Sequence, residues 1–260
     1  MRRPRKDIIV AGCFLLVSLL LAGAMWWAWR EYITSPPFVD PDRFPVRGID
    51  VSAHNGMMNL NAARADGIEF IFIKASEGAG FRDENFVLNY QKATHAGMKV
   101  GAYHFFRFDV DGVAQAVNLL RSVGPRPLDL GLVIDVEEDG NPDGYTPDQV
   151  AEQLQKMVEY LNMRGHRVMF YSNERGYNKY LFRDEFRGFP FWICSFTEDT
   201  ASAGSWSFWQ YSHRGRVAGI RGDVDLNAFH GSWTDWEKAL RNNAPLDAEA
   251  DNKRILQSVK

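Results

Sequence analysis

Seven apolar runs of strand length, alternating with amphipathic helical stretches, constrain this chain more than any other feature. The runs are Gly48–Val51, Ile68–Ala75, Lys99–Phe106, Leu130–Glu137, Arg167–Ser172, Phe191–Ser195 and Ser207–Tyr211. They are nearly continuous in hydrophobic residues, as strands covered on both faces are. Helical patterns at Asn85–Ala96, Asp111–Val123 and Pro147–Arg164 separate several of them. Such alternation predicts βα units and a largely parallel sheet. Polar residues collect at the C-terminal ends of several runs, which favours one closed barrel over an open, doubly wound sheet. The helical pattern fades late, where Gly176–Gly188 and Thr197–Ser205 read mostly as loop. The expected fold is α/β, an irregular TIM-like β/α barrel over residues 47–240 with its later helices short or missing.

The first thirty residues are of another kind. Arg2, Arg3, Arg5 and Lys6 precede an uncharged stretch from Ile8 to Trp29, long enough to cross a bilayer core of about 30 Å as a helix. Trp26, Trp27 and Trp29 crowd its far end, where a membrane interface favours them, and the basic flank predicts a cytoplasmic N-terminus. A cleaved signal peptide is the competing reading, with Ala22-Gly23-Ala24 as a cleavage-like site. The apolar run exceeds the roughly 7–15 residues of a signal h-region, which favours an uncleaved anchor. Either reading exports the domain. The expected organisation is a basic terminus and transmembrane anchor over 1–30, a Pro-rich linker over 31–46 carrying Pro36, Pro37, Pro41 and Pro45, the barrel, and a charged, disordered tail over 241–260. The expected location is a bacterial inner (cell) membrane, single-pass, with the domain periplasmic or extracellular.

Absences narrow the chemistry. No nucleophile elbow, phosphate loop, dinucleotide fingerprint, H-E-x-x-H or C-x-x-C pair is found. Cys13 and Cys194 allow no disulfide within the barrel, and the six histidines lack metal-ligand spacing. Net charge is −3 without a basic run beyond the N-terminus, so a nucleic-acid partner is not expected. Neither metal nor organic cofactor is expected, and a monomer is assumed.

What remains is a set of acids at strand ends. In Val133-Ile-Asp-Val-Glu137, strand alternation puts Asp135 and Glu137 on one face. Carboxylates that close cannot both ionise cheaply, so one stays protonated and can act as a general acid, as in glycosidases. A capping or cation-binding acid pair is the plainer alternative. Asp50 closes the first strand, and Asp223 and Asp225 lie in Gly222-Asp-Val-Asp-Leu-Asn227; helix capping and Asx turns are their plainer readings. A barrel would bring these distant acids into one pocket. The aromatics at strand ends, Tyr103, Phe105, Tyr171, Trp192, Trp209 and Tyr211, are candidates for a sugar platform, with Tyr103, Tyr171 and Trp209 preferred, against ordinary core packing. Lys74 and Glu77 read as a buried ion pair.

These residues fall in blocks that resemble the glycoside hydrolase family 25 lysozymes. The blocks are Gly48-Ile-Asp-Val-Ser52 with Asn55-Gly56, Phe72-Ile-Lys-Ala-Ser-Glu-Gly78 with Phe81 and Asp83, Gly101-Ala-Tyr-His-Phe-Phe106, Ile134-Asp-Val-Glu137, Trp209-Gln-Tyr211 and Val224-Asp-Leu-Asn227. They occur in the family's order over about residues 47 to 237. The resemblance implies a β/α barrel that cuts the β-1,4 bond between N-acetylmuramic acid and N-acetylglucosamine in peptidoglycan. It implies Glu137 as the general acid and Asp135, Asp50 and Asp225 as the remaining active-site carboxylates, with Asn227 as a further substrate contact. The chain departs from the family at His54-Asn55, where Trp-Gln is frequent. Two alternatives follow: a catalytically silent peptidoglycan-binding module, and the same chemistry on chitin-like N-acetylglucosamine polymers. The sequence leaves open whether the intermediate is a glycosyl ester or an oxazolinium formed by the substrate's own 2-acetamido group.

Overall fold

In the computed structural model, residues 6–34, 39–196 and 206–243 are described, and they form two units divided near Pro36. The first unit is one helix, α1 (Lys6–Thr34). Its segment Val10–Trp27 has a mean hydropathy of 2.0, long and apolar enough to cross a membrane. The helix continues four residues past the expected anchor boundary at 30, into the stretch read as linker.

In the second unit, strand pairing follows the alternation of the sequence. β1 (Arg47–Val51), β2 (Ile68–Glu77) with its short antiparallel partner β3 (Phe81–Arg82), β4 (Lys99–Phe105), β5 (Leu132–Asp135), β6 (Val168–Asn173), β7 (Phe191–Cys194) and β8 (Phe208–Gly215) form the parallel part of the sheet. β9 (Val224–Phe229) runs antiparallel between β8 and β1, and the β1–β2 pairing closes a barrel of eight strands. The expected irregular barrel is the observed fold.

Both faces of the sheet are buried, which is why the strand sequences look uniformly apolar. Inside, Phe70, Phe72, Val133, Met169, Trp192, Phe208 and Phe229 fill the barrel, and Trp236 packs with them. Phe72 and Trp192 stack at 4.4 Å, and Trp236 lies 5.1 Å from Phe229. Outside, Ile49, Ile71, Ile73, Val100, Ile134 and Ile193 meet the helices through residues such as Leu119, Leu154 and Leu161. Each such fully buried side chain contributes about 1.5–3 kcal/mol. Phe44 and Val46, within the stretch read as linker, are buried in these two clusters.

The helices are α2 (Leu60–Ala65), α3 (Phe86–His95), α4 (Gly112–Val123) and α5 (Pro147–Asn162). Asp111 caps α4 by accepting from the Ala114 N–H at 2.9 Å. Thr146 and Gln149 form a capping box at the start of α5, with Pro147 in the first turn. After β6 the chain makes only short helical turns between Glu174 and Phe186, so the region expected as loop is irregular but wound. The expected loop Thr197–Ser205 lies outside the described residues. So does the expected tail beyond Asn243, whereas Arg241 to Asn243 end the helix α6 (Trp233–Asn243).

The interior aromatics sit toward the N-terminal ends of the parallel strands. At the opposite end the inward positions are polar, and that asymmetry positions the site.

Candidate active site

Three strands deliver four carboxyls to one small cavity. Asp50 is on β1, Asp135 ends β5, Glu137 lies two residues beyond it, and Asp225 is on β9. Together with Tyr103, Tyr171, Trp192 and Gln210 they line a cavity of about 190 Å³. Asp50 and Asp225 come together because they are partners in the β1–β9 register. Asp135 and Glu137 share a side because the chain stays extended past β5: the Val136 N–H donates to the Tyr171 carbonyl at 2.9 Å, and the Val136 side chain is buried in the outer core. A second, more open cleft of about 530 Å³ shares Glu137, Tyr171 and Gln210 and continues toward Asn173, Arg175, Cys194 and Phe196.

The acids differ in how they are satisfied. Asp50, 6% exposed, accepts at Oδ2 from Gln210 Nε2 at 2.8 Å and from Asn227 Nδ2 at 2.7 Å. Burial raises its pKa to about 6 against the lowering effect of those bonds and of one with Asp225. Asp225 is raised to about 8 by burial and then by the charge of Asp50. Glu137 is raised to about 7 by burial, then by the charges of Asp139 and Asp50. Asp135 is pushed well above the carboxylate range by burial and the neighbouring Glu137, with Lys74 opposing. Its Oδ1 is buried and has no hydrogen-bond partner among the described residues. A buried polar atom without a partner costs about 1–3 kcal/mol, the kind of cost that collects where a protein meets a ligand.

The aromatic expectations divide. Tyr103 and Tyr171 line the cavity, and both phenols are raised well above their usual range by burial and by the surrounding acids. Trp209 does not reach it. Along β8, Phe208 points into the barrel while Trp209 and Tyr211 point outward, and Trp209 packs on Phe44 and Trp206 with its Nε1–H donating to the Ser195 carbonyl at 2.7 Å. The expected sugar contact at Trp209 is therefore a core contact. Asn227 is fully buried behind Asp50 and does not line the cavity; Trp192 Nε1–H donates to its Oδ1 at 2.8 Å. Gln210, which carries no expected role, and Trp192, a candidate aromatic not among the preferred three, occupy the inward positions instead. The signal available was parity, since a glutamine two residues from inward Phe208 falls on the same face.

Several expected supports are structural. Lys74 and Glu77 pair at 2.9 Å, with the ammonium beside the rings of Phe81 and Phe105. His104 is fully buried; Gln115 gives both amide protons to carbonyls, so its Oε1 accepts from His104 Nε2, and Nδ1 is left to accept from the Ser76 hydroxyl at 2.8 Å. Burial lowers that imidazole to about 4 and keeps it neutral. At the departure site, Asn55 Oδ1 accepts from the Ser52 N–H at 2.9 Å, and His54 is exposed with its ring against the Ser52 hydroxyl. Asp83 braces the same turn by accepting from the Ala53 N–H at 2.8 Å. Among the described residues no group of three or more His, Cys, Asp or Glu side chains is arranged to hold a metal ion.

Comparison with known proteins bears on the family and the fold. The family model described as glycosyl hydrolases family 25 matches residues 49–220. Lysozyme M1 of Streptomyces globisporus is 34% identical over 247 residues, covering 88% of this chain and 81% of its own length. Among solved structures, a family 25 glycosyl hydrolase from Bacillus anthracis superposes with a TM-score of 0.70 at 32% identity, covering 77% of this chain and 95% of that one. A bacterial lysozyme from Streptomyces coelicolor gives 0.66 at 31% identity, covering 76% and 98%.

Proposed function

The chain belongs to glycosyl hydrolase family 25, the lysozymes that hydrolyse peptidoglycan, and on that premise we propose that it cleaves the β-1,4 bond between N-acetylmuramic acid and N-acetylglucosamine with Glu137 as its general acid. The observation that carries this reading is the convergence of Asp50, Asp135, Glu137 and Asp225 on one cavity in which Glu137 keeps its proton up to about pH 7. A proton-bearing carboxyl at the mouth of an acidic pocket can protonate the glycosidic oxygen as positive charge develops on the cleaved sugar. Ionised Asp50 lies in the same cavity, where a carboxylate stabilises that charge.

Asp135 has a separate task in this reading. Its unpartnered Oδ1 is matched to an amide N–H, so it orients the substrate's 2-acetamido group, whose own oxygen then attacks the anomeric carbon to give the oxazolinium intermediate. Tyr103 and Tyr171 form the walls that exclude water, and the cleft toward Arg175 and Phe196 receives the continuing glycan. α1 tethers the enzyme to the bacterial cell membrane, with the catalytic domain on the wall side and residues 47–240 as the hydrolase.

Reducing-end release from purified peptidoglycan, with products identified by mass, tests the reading. Muropeptides ending in muramic acid are expected, and Glu137→Gln is expected to lower kcat by about 10²–10⁴-fold with binding retained. Binding without release by the native chain would instead mean a silent module, and release from chitin oligomers alone would move the substrate to N-acetylglucosamine polymers.

A further inference from the structure

Two amide side chains converge on a single oxygen of Asp50, and each is fixed by a donor behind it. An amide presents either its NH₂ or its carbonyl, and its far partner decides which. Trp192 Nε1–H can only donate, so the Asn227 carbonyl must face it at 2.8 Å and the Asn227 NH₂ must face Asp50 at 2.7 Å. On the other side, the Tyr171 hydroxyl donates to Gln210 Oε1 at 2.8 Å, and the Gln210 NH₂ reaches the same Asp50 Oδ2. The barrel register builds this arrangement. Gln210 faces Asn227 across β8–β9, and Asp50 faces Asp225 across β1–β9.

We propose that Gln210 and Asn227 are positioning residues that, oriented by Tyr171 and Trp192, hold Asp50 as the ionised carboxylate and leave the proton of the Asp50–Asp225 pair on Asp225. The catalytic consequence rests on the family 25 reading of the pocket, whereas the placement of the proton is a property of the folded chain. The order of the two acids supports it. Asp50 is more deeply buried than half-buried Asp225, so desolvation alone would make Asp50 the harder of the two to ionise; instead it is raised only to about 6 and Asp225 to about 8. The other titratable groups around Asp50 are Asp135 and Glu137 at the end of β5, Tyr103 on β4, Tyr171 on β6 and Cys194 on β7; Lys74 lies beside Asp135 on β2. None of these besides Tyr171, through Gln210, distinguishes Asp50 from Asp225 by a hydrogen bond.

The decisive measurement is a titration of the full chain in detergent, labelled with ¹³C at the aspartate carboxyls, the Asp50 signal being the one lost in Asp50→Asn. Asp50 is expected to ionise before Asp225 as pH rises. Gln210→Ala is expected to move Asp50 up by about one pH unit, the effect of one hydrogen bond to a charged group. Trp192→Phe, which keeps an aromatic ring in the core but frees the Asn227 amide to turn, is expected to move it in the same direction. Should both variants fold and leave Asp50 at its native value, or should Asp225 ionise first in the native chain, the proposal is overturned. The pH profile of peptidoglycan hydrolysis supplies the second readout. In Gln210→Ala its acid limb is expected to move up with Asp50; a uniform drop in kcat with the limb unmoved would assign Gln210 a merely structural role. If the native chain releases no reducing ends, the muramidase reading fails while the titration still decides where the proton sits.

Discussion

A carboxyl that keeps its proton on folding makes the folded state the stronger proton binder, and the pocket holds four of them. Asp50, Glu137 and Asp225 are raised from ordinary values of 3.8, 4.5 and 3.8 to about 6, 7 and 8, and burial with the neighbouring Glu137 charge raises Asp135 well above its ordinary value. For a raised acid the unfolded chain ionises first, so its stabilising effect is fully present below the unfolded pKa and is lost as pH rises through the folded one. Stability is therefore expected to decline between about pH 4 and pH 8, and Asp135→Asn to flatten the decline, the variant gaining stability over the native chain toward the alkaline end. Urea unfolding across that range checks it; parallel pH dependences in the native chain and the variant would refute it. Activity has its own limit, since the Glu137 proton is lost as pH rises through about 7, and kcat/KM should fall above that value. The four acids were legible in the sequence because each lies at a strand end in a recognisable block. Gln210 was not, because a glutamine in an apolar strand carries no chemical signature until one knows which way it points.

That direction is a property of the element. In a barrel both faces of a strand are buried, so the contrast between apolar and polar positions that normally reveals a strand's inside is lost. β8 shows the consequence: Trp209 looked like the sugar-binding aromatic, yet its neighbour Gln210 holds the inward position. β9 reads as a turn because Asp225 and Asn227 interrupt it, and they do so because Asp225 lines the cavity while Asn227 donates to Asp50 from behind it. The helices were easier, since amphipathic patterns and caps such as Thr146 with Gln149 act locally. What no local pattern records is how closely two helices approach. At Gly112, in the first turn of α4, a Cβ would lie 1.9 Å from the Gln153 carbonyl of α5. Gly112→Ala is thus expected to cost about 2–3 kcal/mol by forcing the helices apart. A fall in thermal midpoint with kcat on soluble glycan unchanged at low temperature would bear this out, whereas an unchanged midpoint would show that α4 and α5 separate freely.

At the scale of the whole molecule, the alternation of runs foretold a barrel, but closure depends on partners far apart in sequence. Trp236 reaches Phe70 at 5.5 Å and Phe208 at 6.3 Å to fill the barrel's interior, a contact invisible to any window of neighbouring residues. α1 is a unit of its own, and the side chains of its Val10–Trp27 segment are exposed. A helix that is apolar all round is buried when it is retained, in a bilayer or against other protein. Retention as an anchor predicts that the full 260-residue chain, tagged after Lys260, sediments with membranes and resists alkaline carbonate, and that protease added outside the cell membrane reaches the barrel. A soluble, shortened product would mean that the segment is a signal. In either case residues 39–260 are expected to hydrolyse soluble glycan at the native kcat, because the four acids and their supports all lie in the second unit. If the anchor is retained, hydrolysis of intact wall should fall on its removal while hydrolysis of soluble fragments does not, since tethering raises the local concentration of enzyme beside the glycan without altering the pocket.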